Sequence, residues 1–130
     1  QNAATGANPI LSAHGSDPNF NLNLAGKGTG SVTIEKGAYS VGEITSTGAA
    51  DVSKGFILAN SATPITITVA DGTTVGEHKI FTNKNAGAAT ITPANFGPGT
   101  SIALDNNEGC QMIWDGGNWQ LIGNNGGTVS

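Results

Sequence analysis

The residues with the most chemical potential are few and scattered. Gly26-Lys-Gly-Thr-Gly30 has the glycine and lysine of a phosphate cradle. A Walker loop, however, sets Gly-Lys ahead of Ser or Thr and opens a helix. Here the lysine precedes the second glycine, and Ser31-Val-Thr-Ile34 alternates like a strand. The spacing therefore predicts a glycine turn between two extended segments. His14, His78 and Cys110 are the available transition-metal ligands, and no two have the close spacing of a structural zinc site. No metal and no cofactor are expected. Asp105-Asn-Asn-Glu108 and Asp115-Gly-Gly-Asn118 are rich in oxygen. Brought together they could offer Ca²⁺ its about six to eight oxygen ligands. The plainer account is turn chemistry, because Asp and Asn bond their own backbone in turns.

Catalysis fares no better. A nucleophile needs a base within hydrogen-bond reach and a group behind it to orient the base. His78 with a Ser or Thr, or Glu77 with Glu108 as a glycosidase-like carboxylate pair, would be the components. No motif places either set, so no catalytic residue and no enzymatic activity are expected. Trp114 and Trp119 could offer ring faces to sugars, but aromatics are only 5% of the chain and its core needs most of them. Cys110 is the single cysteine, on an apolar stretch, which predicts a buried thiol and excludes an intrachain disulfide. All five basic residues are lysines and the net charge is −4. Nucleic-acid binding relies on clustered Lys and Arg, so it is not expected. No secretory pattern opens the chain and no apolar run approaches the ~20 residues that span a bilayer, so no membrane partner is expected.

The elements that must position these residues read as strands. Cys110 to Ile122 forms two apolar runs around Asp115-Gly-Gly-Asn118, the pattern of a β-hairpin. With Trp114 opposite Trp119, Met112 faces Leu121 and Cys110 faces Gly123. Met112, Trp114, Trp119 and Leu121 are then the centre of the domain core. Upstream, Phe56–Ala59, Ile65–Val69, His78–Thr82, Thr90–Thr92 and Ser101–Leu104 are separated by turn signals at roughly 10-residue spacing. No helical periodicity and no internal repeat stand out. The predicted fold is all-β, an antiparallel β-sandwich or small barrel over residues 46–130, with an extended N-terminal arm over 1–45. Residues 42–54 are small and polar and read as the hinge, with a short edge strand through Ile44 as the alternative. In the arm, Phe20, Leu22 and Leu24 alternate with Asn19, Asn21 and Asn23, and Val32 and Ile34 resume the pattern after the glycines. Such a thin strip cannot cover its own apolar side, because isolated two-stranded units are marginal. Another part of the chain or another chain must cover it.

Two segments carry a resemblance. Leu11 to Val32, with its Gly15-Ser-Asp-Pro-Asn-Phe-Asn-Leu and Gly26-Lys-Gly-Thr-Gly30, resembles a stretch found in structural proteins of tailed bacteriophages. That stretch usually has Pro where this chain has Gly26. Met112 to Ile122 is similar to a hairpin that ends fibre and decoration modules of the same phages. The resemblance implies a virion structural protein and a homotrimer: a capsid decoration (cement) protein, or a head or tail fibre. Its partners would be the major capsid protein or other virion proteins, and it brings no catalytic residues. A short chain without repeats favours decoration, with Phe20, Leu22, Leu24, Val32 and Ile34 as the docking face. A fibre tip touching host surface glycans is the alternative.

Overall fold

The structure, a computed structural model, describes residues 14–16 and 24–130. It comprises two units, Gln1–Gly37 and Ala38–Ser130. The boundary thus precedes Ala38 rather than following residue 45. Phe20 and Leu22 lie outside the described residues. In the first unit Gly30 N–H donates to the Lys27 carbonyl at 3.0 Å, and Gly28 takes a left-handed φ of 63°. The glycine turn is therefore present. Ser31–Ile34 forms no strand, although its alternation predicts one. A strand needs a hydrogen-bonded neighbour, and none among the described residues of this unit supplies it.

The second unit is all-β. Its strands are β1 (Val41–Ile44), β2 (Gly48–Ala49), β3 (Phe56–Ala59), β4 (Ile65–Val69), β5 (His78–Asn83), β6 (Ala89–Pro93), β7 (Ile102–Leu104), β8 (Gly109–Trp114), β9 (Trp119–Asn125) and β10 (Thr128–Val129). They make two sheets, the first ordered β1-β3-β5-β8-β9 and the second β10-β7-β6-β4-β2. From β1 to β6 the chain changes sheet at every strand. Neighbours within each sheet are consequently parallel: β1 with β3, β3 with β5, β2 with β4, and β4 with β6. Only the later strands pair antiparallel. The sandwich is mixed, which corrects the antiparallel expectation. Turn signals mark where a chain reverses, but not whether it returns to the same sheet or crosses to the other.

This crossing exposes a repeat. Phe56 pairs with Ile80, and Ile65 with Ala89, an offset of 24 residues in both sheets. At that offset Ala62, Thr66, Ile67, Thr68 and Ala70 recur as Ala86, Thr90, Ile91, Thr92 and Ala94. Two coils stack in register, and the expectation of no internal repeat is overturned. The signal was brief, and the coil before it has shorter offsets, as Val41 pairs with Phe56. The stretch read as a hinge contains β1 and β2, so the edge-strand alternative describes it.

Alternation decides what the sheets bury. Ile65, Ile67 and Val69 point inward while Thr66 and Thr68 point out, and Ile91 and Ala89 repeat this on β6. Ile57, Phe81, Ile102, Leu104 and Met112 complete a single core. Each such side chain contributes about 1.5–3 kcal/mol by leaving water. Two inward positions on β5 are polar. Lys79 is 3% exposed, and its ammonium donates to the Val52 and Lys54 carbonyls at 3.2 and 3.0 Å, with Glu77 at 3.6 Å. Asn83 is fully buried and donates to the Gly87 and Leu104 carbonyls at 2.8 and 3.0 Å. Its amide oxygen accepts from Asn85 N–H. It therefore ties the β5–β6 turn to the end of β7. Asn83→Ala leaves buried carbonyls without donors, so urea denaturation should show a loss of about 2–3 kcal/mol.

Candidate functional site

The hairpin between β8 and β9 sets the Trp pair. Trp114 faces Trp119 and Met112 faces Leu121. A register shift between Gln111 and Met112 then places Cys110 opposite Asn124, not Gly123. One extra residue on β9 is a β-bulge, which no period-two count foresees. Met112 and Trp119 are fully buried, Trp114 is 7% exposed, and Leu121 is half-buried against the core. The ring centroids lie 5.6 Å apart at 57°, and the Trp119 indole N–H donates to the Ala70 carbonyl at 3.0 Å. A Cβ on Gly72 would overlap the Trp114 ring, so glycine is required there. Neither indole can lie flat against a sugar.

The loop between the tryptophans is held by its own acid. One Asp115 carboxylate oxygen accepts from Gly117 and Asn118 N–H at 2.8 and 2.7 Å, and the other from the Gln120 amide at 2.8 Å. The Asn118 backbone bond, then Gln120 and Gly117, lower the carboxyl pKa. In the other acidic turn, a Glu108 oxygen accepts from Asp105 N–H at 2.7 Å. Each turn spends one carboxylate oxygen on backbone donors. Among the described residues no cluster of three His, Cys, Asp or Glu side chains could hold a metal ion.

The other candidate chemistry is dispersed. Glu77 and Glu108 flank opposite ends of β5, whose length of about 17 Å exceeds any glycosidase carboxylate separation. His78 points out of the first sheet while Cys110 points in. Burial alone pushes the Cys110 thiol from 9.0 up to about 12.

The outer face of the first sheet is of another character, and sequence reasoning passed over it. Paired residues point the same way, so the ladders define its rows. Val41, Phe56, Ile80 and Gln111 form one row, and Glu43, Leu58, Thr82 and Gly109 the next. His78, Ile113 and Gln120 form the third. Phe56, Leu58, Ile80 and Ile113 are half-buried, and Val41 is 52% exposed. Tyr39 is exposed and meets the His78 ring edge-on at 6.4 Å. His78 Nε2 is buried with no hydrogen-bond partner. A depression of about 300 Å³ lies between Ile80, Thr82, Gly109, Gln111 and Gly123, where two glycines leave room. The signal in the sequence was the continuous run Phe56-Ile-Leu-Ala59, apolar on both faces. By contrast, the outer positions of β4 and β6 are Thr66, Thr68, Thr90 and Thr92.

In the first unit the predicted docking residues are uncovered: Leu24 is 56% exposed, Val32 47% and Ile34 71%. No protein-family model matches the chain, and no curated protein matches it.

Two outcomes are expected for Cys110. The native thiol should resist iodoacetamide at pH 8 and react only on unfolding. Its folded pKa lies above the unfolded one, so the unfolded chain loses the proton first as pH rises. The stability it contributes is complete below pH 9 and falls by about 1.4 kcal/mol per pH unit from 9 towards 12. Denaturation of wild type and Cys110→Ala across that range checks this, the variant lacking this part of the slope.

Proposed function

We propose that this chain is a virion structural protein of tailed-phage type, a capsid decoration subunit that docks on the outer shell as a homotrimer. One observation carries the reading: Leu24, Val32 and Ile34 stand exposed on a described segment, residues 24–37, that contains no strand, while the second unit has a complete core of its own. A strip of that kind stabilises whatever it binds by mass action, since only the assembled shell offers the site. The resemblance of Leu11–Val32 and Met112–Ile122 to phage structural proteins supports the same reading. A rigid domain with an interior of β-branched residues and one Trp pair suits a part repeated over a surface.

The 24-residue repeat favours a second reading, a fibre module, because stacked coils are how extended shafts are made. Glycan contact through the tryptophans loses its residues to the core, which leaves Tyr39 as an exposed aromatic for that purpose.

Particles lacking the protein decide between the readings. Added wild type should coat them and raise their disruption temperature. Val32→Asp with Ile34→Asp should lower occupancy at least about tenfold, and removal of residues 1–37 should abolish it. Full coating by the truncated chain would exclude the N-terminal segment as the anchor. A fibre module would leave shells uncoated and, if it contacts hosts, would bind a glycan array in a manner lost with Tyr39→Ala.

A further inference from the structure

We propose that this chain cross-links itself: Lys84 and Asn60 form an intramolecular isopeptide bond, with Glu43 as the proton carrier. The site is independent of the virion reading above. Ala59 pairs with Asn83, and Lys84 N–H donates to the Ala59 carbonyl at 3.0 Å. Asn60 and Lys84, the next residues along, are therefore backbone neighbours at about the 4.8 Å spacing of strands. The flexible four-carbon stem of lysine spans that gap. One carboxylate oxygen of Glu43 on β1 holds both reacting groups. It accepts from the Asn60 amide at 2.6 Å and pairs with the Lys84 ammonium at 3.2 Å. The Asn60 amide oxygen accepts from the Asn85 side-chain amide at 3.0 Å. Asn85 is set by its turn, its own oxygen accepting from Ala86 N–H at 2.8 Å. Nucleophile, base and a donor for the developing oxyanion thus converge on one amide group. The Asn60 hydrogen bond, then Lys84, lower the Glu43 carboxyl pKa, so the carboxylate is ionised and able to accept.

The reaction balances without a co-reactant. Lys84 passes one proton to the Glu43 carboxylate, and the freed Nζ electron pair bonds to Asn60 Cγ. The charge that gathers on Asn60 Oδ1 meets the Asn85 donor. Glu43 gives its proton to Nδ2, the Cγ–Nδ2 bond breaks, and ammonia leaves. Glu43 then takes the second proton from Nζ and hands it to the ammonia. An ammonium and an amide become a new amide and an ammonium ion, and Glu43 is unchanged. Both charged side chains are 47% exposed, which keeps the lysine hydrated and makes this a slow maturation rather than a folding step. The bond joins residues one repeat of 24 apart, the offset of the stacked coils, so a full turn of the coil becomes a closed ring. Such a ring removes loop-closure freedom from the unfolded chain.

Intact mass and tryptic mapping of the full folded chain test this, after incubation at about pH 9 to favour neutral, nucleophilic amines. Wild type should become lighter by one ammonia. Trypsin should no longer cut after Lys84, and the segment Gly55–Lys79 should be recovered joined to the segment that begins at Ile80. Lys84→Arg keeps the charge but not the nucleophile, and should give no branched peptide. Glu43→Gln should slow cross-linking at least about a hundredfold. The near-ultraviolet circular dichroism of the buried Trp114–Trp119 pair verifies that each variant is folded. Should Glu43→Gln lose that signal, Asn85→Ala decides, by slowing the reaction at least about tenfold. No branched peptide in wild type, ammonia loss without one (a succinimide at an asparagine), or equal cross-linking in a folded Glu43→Gln or Asn85→Ala variant would each overturn the proposal.

Discussion

Trp119 ties the two sheets together. It begins β9 in the first sheet, yet its backbone N–H donates to the Asn95 carbonyl and its carbonyl accepts from Gly97 N–H. Its indole reaches the Ala70 carbonyl. Asn95 and Gly97 follow β6, and Ala70 follows β4, so three bonds from one residue hold the ends of two second-sheet strands. The side chain is fully buried, and its neighbour Trp114 occupies the space that Gly72 leaves. An unpaired indole N–H in that position would cost more than the bond contributes, which makes the geometry specific as well as stable. The same burial removes both rings from any role at the surface.

Around this tie the chain winds as coils rather than hairpins. Parallel neighbours must be reached by crossing to the opposite sheet, and the repeat follows from that path. Stacked coils leave two open ends. At one, β7 to β10 turn antiparallel and close the stack. At the other, β1 and β2 are edges of four and two residues, and Glu43 on β1 bonds back to Asn60 and Lys84. Short, charged edges discourage unplanned strand addition. The surfaces that remain available are therefore faces, and the two outer faces differ in kind. One presents threonines and the other large aliphatic side chains.

Much of this was written in local pattern. The alternation in Ile65–Val69, the turn residues Asp115 to Asn118, and the pairing of Trp114 with Trp119 are period-two facts, legible without coordinates. Leu24, Val32 and Ile34 could be read as a thin apolar strip in the same way, and all three are exposed. Less legible were Lys79 and Asn83, polar residues at inward positions, since their partners Val52, Lys54 and Leu104 lie far away in sequence. The bulge that shifts Cys110 against Asn124 was hidden for a related reason: one inserted residue changes register without changing composition.

The sequence by itself determined an all-β fold, its turns and its inward-facing stripe. Side-chain alternation and turn preference act within a few residues, so they survive in the order of the letters. Tertiary structure alone decided that the strands run parallel across two sheets, that β1 belongs to the domain, and that Phe56, Leu58, Ile80 and Ile113 share one outer face. Those outcomes depend on which distant strand each backbone hydrogen bond selects. That choice is made by fitting the whole core around Trp119, and no single stretch of sequence contains it.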